Sequence, residues 1–209
     1  MLSTELPPVV LTILLAIANI MGAGMIVPQV LRIRRRRSAD GLSAAWVGVG
    51  IGLNAAWVVY GTAEQLWGLL PVSLGAGALY VVMAGQLVGL DGRQVLGGLG
   101  RGIAVATVIP AVALLAGGWT AAGLTVGLAY AVQFAPATIA ALRSTSIAGI
   151  APLTWTMALV EALIWLTYGL ATADVALQVG GSGGALMAAV ILGRVAVGNR
   201  DPQLMAANA

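Results

Sequence analysis

The sequence predicts an all-α integral membrane protein with seven transmembrane helices, and three observations support this fold class. Hydrophobic residues make up 60% of the chain and charged residues only 8%, whereas a soluble domain carries about 25% charged residues. The mean hydropathy is +0.99. A pattern of Pro, Arg, Ser, Trp and Tyr occurs twice without a gap, which indicates a tandem duplication.

The two copies of this pattern are offset by 108 residues, the separation of Trp57 and Trp165. The first copy contains Pro28, Gln29, Arg35, Ser38, Gly41, Trp57, Tyr60 and Gly61. The second contains Pro136, Arg143, Ser146, Gly149, Trp165, Tyr168 and Gly169. Apolar helices could coincide by chance in Ala, Leu and Val, but not in these residue types. A duplicated membrane unit is typical of transporters and receptors whose site lies between the halves.

The length of the apolar stretches predicts the seven spans, because one crossing needs about 20 apolar residues. We place the spans at 8–31, 43–61, 66–89, 102–117, 119–142, 150–170 and 174–197. A glycine-rich stretch from Gly89 to Gly102 is predicted to separate spans three and four. Gly117 and Gly118 are predicted to separate spans four and five.

The spans divide the chain into a first three-helix repeat (8–89), a loop with linker helix four (90–117), a second repeat (118–197) and a tail (198–209). The fourth helix has a mechanical role, because two three-helix bundles can lie parallel only if an extra crossing returns the chain to its starting side. The expected arrangement is therefore 3+1+3.

With seven spans, every arginine falls on one side of the membrane. These are Arg32, Arg34, Arg35, Arg36, Arg37, Arg93, Arg101, Arg143, Arg194 and Arg200. Glu5, Glu64 and Asp174 fall on the other side. The positive-inside rule predicts an external N-terminus and a cytoplasmic C-terminus in a plasma membrane. We interpret the run Arg34–Arg37 as a topology anchor rather than a nucleic-acid or lipid site. The basic residues are all Arg, and Ala and Gly are abundant. This composition favours a bacterial source.

Composition also limits the chemistry. Cys and His are absent, so thiol chemistry, disulfides and the commonest general base and metal ligand are excluded. No pair of acids and no nucleophile with a base can be placed together, so we expect neither an enzyme nor a cofactor. The N-terminus lacks a basic region, so no cleaved signal peptide is expected.

Polar groups inside a bilayer are costly and tend to be functional. Asn54 lies three residues before Trp57, and Glu161 lies four residues before Trp165, so each pair shares a helix face. An indole offers an apolar platform and one N–H donor, which suits a sugar ring. The alternative is that both indoles lie in the headgroup belt. Ser73 is a further candidate.

Glu161 is the one charged-type side chain placed in the middle of a predicted span, since Asp174 and Arg194 lie at the two ends of span seven. A bare carboxylate in a low dielectric is costly, so this side chain is expected to be protonated or paired. It could carry a proton, or bind a cation or hydroxyl. The alternative is a neutral acid that is hydrogen-bonded across helices.

Pro28 and Pro136 occur late in spans one and five, at equivalent places of the two repeats. Proline removes one helical hydrogen bond and kinks the chain. Equivalent kinks, with Gln29 beside the first, are what a hinge would need. Static kinks are the alternative, because membrane helices tolerate proline.

Taken together, these residues resemble the PQ-loop superfamily, and specifically the SWEET and SemiSWEET sugar transporters. The resemblance covers about residues 10–90 and 118–197, with span four as the linker helix. Its most diagnostic stretch runs from Pro28-Gln29 to Trp57-Val58-Val59-Tyr60-Gly61. The second copy departs from the motif, with Ala137 in place of the glutamine.

The resemblance implies two parallel bundles packed in the order one, three, two. It implies facilitated diffusion of a mono- or disaccharide by alternating access, without an obligatory ion. Trp57 and Trp165 fall on the family's pocket tryptophans. The family's outer gate uses the tyrosine of the Tyr-Gly pair with an acid a few residues later. Tyr168 with Asp174 resembles this gate, whereas Tyr60 is followed by Leu66 in the place of the acid. The family's pocket asparagines fall on Ser73 and Gly181, and Asn54 could replace one lost amide.

Two other functions stay open. The proton-coupled branch of the superfamily exports amino acids, and Glu161 favours it. A receptor similar to the KDEL receptor would capture a peptide carboxylate with arginine, and the predicted spans contain arginine only near the end of span seven, at Arg194. The expected partners are a small-molecule substrate, with sugar favoured, and the lipid bilayer. A homo-oligomer stays open, and no nucleic acid is expected.

Overall fold

Every regular element that the computed structural model describes is helical. It describes residues 7–40, 42–144, 146–147 and 150–198. Glu5, Gly41, Gly149, Arg200 and the predicted tail from 199 lie outside the described residues. The helices are α1 (Pro8–Gly24), α2 (Val27–Arg36), α3 (Ala44–Ala63), α4 (Leu70–Asp91), α5 (Leu96–Val132), α6 (Ala135–Arg143), α7 (Pro152–Ala171) and α8 (Val175–Val197).

Within the described residues, five helical segments are long and apolar enough to cross a membrane. They are Pro8–Arg36, Ala44–Ala63, Trp67–Arg143, Pro152–Ala171 and Val175–Val197. The third has 77 residues, several times the roughly 20 residues that one crossing needs. These segments indicate a multi-pass membrane protein.

The backbone leaves the helix inside this long third segment. After α4, Gly92 has φ 73° and ψ −162° and opens a 3-10 turn that ends at Val95. Gly118, within α5, has φ 69° and ψ −164°. An L side chain would clash in this region, so glycine is needed at both points. The chain therefore changes direction at 92–95 and at 117–118.

The glycine-rich stretch before residue 102 is not the loop that the sequence predicts. α5 begins at Leu96 and runs through these glycines. The reason is close backbone packing on α3. A Cβ at Gly48 would strike the carbonyl of Leu99, and a Cβ at Gly102 would strike the carbonyl of Ala45. Small residues at such contacts are typical of membrane helix pairs, so these glycines mark an interface.

The backbone geometry recurs at the same offset as the sequence pattern. α3 and α7 begin and end at equivalent positions. After each, a residue other than glycine takes a left-handed conformation, Gln65 with φ 58° and Ala173 with φ 55°. The next residue then donates its N–H to a glycine carbonyl, at 2.7 Å from Leu66 and 2.8 Å from Asp174. The two halves therefore use the same corner.

The helices that carry the repeated prolines are broken at equivalent places. α1 gives way to α2 at Met25 and Ile26, and α5 gives way to α6 at Gln133 and Phe134. Each proline is the second residue of the following helix. Proline has no N–H to offer the carbonyl four residues earlier, and its fixed φ suits the start of a helix. The breaks therefore follow from the sequence.

Helix packing centres on α4 in the first half of the chain and on α8 in the second. α4 contacts α1, α2 and α3, and α8 contacts α5, α6 and α7. Across the molecule, α1 packs on α7. α3 packs on α5 both at Leu99 and Gly102 and, beyond the break, at Gly123. The largest buried cluster lies between the repeats and includes Leu53, Trp57, Val126, Ile164 and Trp165.

Candidate functional site

A cavity of about 490 Å³ lies between the two repeats. Most of its lining residues come in pairs separated by the repeat offset, so the two repeats contribute equivalent surfaces. The pairs include Gly22 and Tyr130, Met25 and Gln133, Ile26 and Phe134, Leu53 and Glu161, Trp57 and Trp165, Leu69 and Leu177, and Ser73 and Gly181. The cavity therefore lies on the pseudo-symmetry axis.

Trp57 and Trp165 both line this cavity and are 6% and 4% exposed. Each indole packs on the tyrosine three residues later. The ring centroids are 6.0 Å apart for Trp57 and Tyr60, and 6.3 Å apart for Trp165 and Tyr168. Aromatic pairs at this spacing hold each other's orientation. The two indoles are therefore fixed platforms on opposite repeats.

Glu161 lines the cavity and is 4% exposed. Its Oε1 accepts a hydrogen bond of 3.1 Å from Nε1 of Trp165, one helical turn further along α7. Gly22 of α1 lies opposite, and a Cβ there would strike the same carboxylate oxygen. Leu53 takes the equivalent place in the first repeat. At this pair of equivalent positions, therefore, only the second repeat gives the cavity a polar side chain.

Asn54 and Ser73 also line the cavity, but each donates a hydrogen bond to the backbone carbonyl four residues earlier. Nδ2 of Asn54 donates to the carbonyl of Gly50 at 2.8 Å, and Oγ of Ser73 donates to the carbonyl of Leu69 at 3.1 Å. Their oxygens can still accept hydrogen bonds from a ligand. Gln29 and Gln133 add two amides to the lining.

Gly181 lines the cavity where the resemblance implies an asparagine. A Cβ there would lie 2.6 Å from the backbone nitrogen of Leu166 and 2.9 Å from the carbonyl oxygen of Ala162. α8 therefore approaches the α7 backbone too closely for any side chain. This packing accounts for the missing amide of the second repeat.

The cavity is closed at the end that carries Tyr60 and Tyr168, which we term the tyrosine end. The hydroxyl of Tyr60 donates to Oδ2 of Asp174 at 2.6 Å. Oδ1 of Asp174 accepts from the N–H of Leu177 at 2.7 Å and so caps α8. The acid thereby joins α3 of the first repeat to α8 of the second.

This pairing differs from the expected gate, which joins Tyr168 to Asp174. The ring of Tyr168 lies instead against Gly68, beside the buried Leu66. Each tyrosine therefore faces the corner of the opposite repeat. The sequence pattern pairs each tyrosine with the corner of its own repeat. In the structure each tyrosine contacts the corner of the other repeat.

Asn19 seals the same end by joining α1 to α4. Its Nδ2 donates to the carbonyl of Gly68 at 2.9 Å, and its Oδ1 accepts from the backbone N–H of Val72. The first N–H groups of a helix lack partners within it, so an amide from a neighbouring helix can satisfy one. Asn19 therefore has a structural role.

At the opposite end, which we term the arginine end, the lining reaches exposed residues. Thr154, Pro136 and Ala137 are exposed and line the cavity. A second depression holds Arg32 and Asp40 and shares Gln29 and Trp46 with the cavity. Pro28 is exposed and is not among the lining residues. The cavity therefore extends toward the arginine end.

Several aromatic lining residues do not follow from the sequence pattern. Trp46 packs edge-on against Tyr80 at 5.3 Å, and Phe134 packs edge-on against Trp155 at 6.2 Å. Tyr130 contacts Phe134 at 5.4 Å. None of these rings belongs to the repeated motif, so the spacing of the motif does not identify them. Trp46 and Trp155 lie near predicted span ends, where tryptophan is expected in the headgroup belt, so their position gives no signal for the cavity.

Residues 10–69 match the family model of the PQ loop repeat. The match covers α1, α2, α3 and the turn after α3, including Pro28, Gln29 and Trp57. It supports the PQ-loop superfamily. No curated protein matches the chain.

Proposed function

We propose that the chain is a membrane transporter that moves a small sugar by facilitated diffusion. The observation that carries this proposal is the pairing of equivalent residues from two repeats around one cavity, with an indole from each. Pseudo-symmetric halves around a central site are what alternating access requires, because either end can then open by the same motion. The PQ-loop match supports a transporter.

The proposed topology has seven crossings arranged 3+1+3. It divides the long segment Trp67–Arg143 at the glycine breaks, so that residues 96–116 form the linker helix. The arginine end then faces the cytoplasm of a bacterial cell and the tyrosine end faces outward. The structure is closed at the tyrosine end, so it corresponds to an inward-facing state.

Sugar is favoured by the chemistry of the lining. The volume of about 490 Å³ falls in the range of roughly 300–1,000 Å³ typical of small-molecule sites. Two fixed indoles supply apolar platforms for a pyranose. Asn54, Ser73, Gln29 and Gln133 supply neutral donors and acceptors for hydroxyl groups.

Exchange between states would depend on the broken helices. α2 and α6 each begin at a proline-dependent break, and both lie at the arginine end. Gln29 of α2 and Ala137 of α6 occupy equivalent places on the cavity wall. Rotation at these breaks would narrow or widen the cavity without unfolding a helix.

The second candidate is a proton-coupled amino-acid exporter, which the position of Glu161 on the cavity wall favours. Against it, no arginine is among the lining residues, and the chain has no lysine. A zwitterion would leave its carboxylate without a cationic partner. The same observation weighs against a receptor that captures a peptide carboxylate.

The test is uptake of labelled sugars and amino acids into proteoliposomes, with and without a pH gradient. We expect neutral sugars to equilibrate, and the imposed gradient to leave the final sugar concentration unchanged. Glu161→Gln should preserve this equilibration because it keeps size and hydrogen bonding. Accumulation of an amino acid that needs the gradient and is lost in Glu161→Gln would establish the second candidate instead.

A further inference from the structure

The charge of the cavity wall is unbalanced. Glu161 is the one acid among the lining residues, and no arginine accompanies it there. A neutral sugar carrier has no evident need for this carboxyl group, since neutral amides already line the cavity. Leu53 fills the equivalent position of the first repeat, which shows that an apolar side chain is compatible with this place in the fold.

The fold leaves room for the carboxylate on the side of α1. A Cβ at Gly22 would strike Oε1 of Glu161 and also approach Val72 to 2.7 Å. The glycine thus clears the space next to the acid. The N–H of Trp165 holds the same oxygen at 3.1 Å. The carboxylate is therefore oriented by one neighbour and accommodated by another.

The cavity that contains this acid is rich in aromatic side chains. Trp57, Trp165, Tyr80 and Tyr130 all line the cavity. The face of an aromatic ring attracts a cation within about 6 Å, and the attraction grows when water is excluded. An acid among aromatic rings combines two features that favour an ammonium group, and neither feature favours an anion.

We infer that the cavity prefers sugars that carry a primary amine, with the pyranose ring between the indoles and the ammonium group on Glu161. This inference rests on the proposed sugar transport. An ammonium–carboxylate pair leaves no net charge in the cavity, whereas a neutral sugar leaves the acid without a cationic partner. Sugar phosphates and sugar acids are excluded by repulsion from the carboxylate, because no arginine among the lining residues offsets it.

Counterflow in proteoliposomes tests the preference with three probes that share one ring. Glucosamine carries the ammonium group, N-acetylglucosamine has it neutralised, and glucose has a hydroxyl in its place. A hydrogen bond to a charged group is stronger than one between neutral groups, so we expect glucosamine to exchange at concentrations about 10-fold lower than the other two. Glu161→Gln should reduce this ratio to near one.

Glu64→Gln is the matched control, because Glu64 is exposed and is not among the cavity-lining residues. It should retain the preference. Competition for labelled glucosamine in detergent, together with thermal unfolding of each variant, separates loss of binding from loss of fold.

Each further outcome decides the inference. Equal exchange of the three probes, or an unchanged preference in Glu161→Gln, overturns it and leaves neutral sugar transport standing. Competition by cyclohexylamine for labelled glucosamine in detergent, if as effective as competition by unlabelled glucosamine, overturns both it and the sugar proposal, because the hydroxyl groups would then contribute nothing. Loss of all exchange in Glu161→Gln, with the variant folded, overturns it in favour of an acid essential to transport itself.

Discussion

At the scale of single residues, the two indoles carry the proposed binding site. Trp57 and Trp165 occupy equivalent positions, are buried, and are each backed by a tyrosine. A ring held in this way loses little conformational freedom when a ligand stacks on it, so its contact contributes to affinity without a large ordering cost.

We therefore expect Trp57→Ala and Trp165→Ala each to weaken sugar binding by about 1–3 kcal/mol. The measurement is the dissociation constant of a transported sugar in detergent. Trp67→Ala is the control, because Trp67 is 59% exposed and does not line the cavity. Unchanged affinity in both indole variants would leave the tryptophans as structural residues only.

Gly181 shows how packing limits the chemistry of the site. Gly181→Ala should destabilise the protein, because its Cβ would press on the backbone of Leu166. Overpacking of this kind costs about 1–3 kcal/mol. Thermal unfolding in detergent measures the effect.

Gly85→Ala is the comparison for Gly181→Ala, since no atom lies within 4 Å of the added Cβ. It should leave stability unchanged or raise it by about 0.5–1 kcal/mol through helix propensity. Equal stability of the two variants would mean that α8 can move away from α7, and the explanation for the missing amide would fail.

At the scale of elements, the closed end depends on a contact that crosses the repeats. Tyr60 lies at the end of α3, and Asp174 caps α8. Leu66 occupies the equivalent corner of the first repeat and offers Tyr168 no acid. The closure therefore has one strong tyrosine–carboxylate bond where a symmetric molecule would have two.

Tyr60→Phe should weaken this closure, because it removes the hydroxyl and keeps the ring. The chain has no cysteine, so a single Ser73→Cys variant reports access to the cavity. We expect an impermeant maleimide added outside to label this cysteine faster in the Tyr60→Phe background. Tyr80→Phe is the matched control, as Tyr80 lines the cavity and makes no contact with Asp174 that the structure records. Equal labelling rates in all three proteins would exclude a gate at Tyr60.

The proline breaks carry a second prediction at this scale. Pro28→Ala with Pro136→Ala restores two backbone N–H groups and should straighten both helices. If the breaks are hinges, counterflow should slow while equilibrium binding changes less. Pro152→Ala is a suitable control, because Pro152 starts α7 and interrupts no helix. Full counterflow in the double variant would make the prolines static kinks.

The elements also show what sequence can and cannot predict here. The repeated motif predicts the breaks at Pro28 and Pro136, because proline acts on its own helix. The sequence also predicts the turn at Gly117 and Gly118, again from the conformation that these residues allow locally. It misplaces the start of α5, because glycines read as a loop become an interface once α3 lies against them. The Tyr60–Asp174 bond depends on how the repeats face each other, which no single repeat encodes.

At the scale of the whole molecule, the duplication explains both the symmetry and its exceptions. Equivalent residues surround one cavity. However, the residue equivalent to Glu161 in the first repeat is Leu53, and the residue equivalent to Asp174 is Leu66. The second repeat thus carries both acids. One half of the molecule supplies the charge of the site and of the closure, while the first half supplies Gln29 and Asn54.

The proposed seven crossings can be tested because the chain lacks cysteine. Gln94 lies in the turn between α4 and α5, and Thr120 lies just after the break at Gly118; both are exposed. If residues 96–116 cross the membrane, Gln94→Cys and Thr120→Cys lie on opposite sides. An impermeant maleimide added to intact cells should label Thr120→Cys and reach Gln94→Cys only after permeabilisation.

Glu64→Cys serves as the reference for the outer side, because Glu64 follows α3 directly at the tyrosine end and is exposed. It should label together with Thr120→Cys. If Gln94→Cys labels with both of them, the linker helix does not cross and the 3+1+3 arrangement is wrong. If the pattern is instead fully reversed, the seven crossings stand and the orientation is inverted. Because the arginines lie on the Gln94 side of the proposed topology, such a reversal would also contradict the positive-inside rule for this chain.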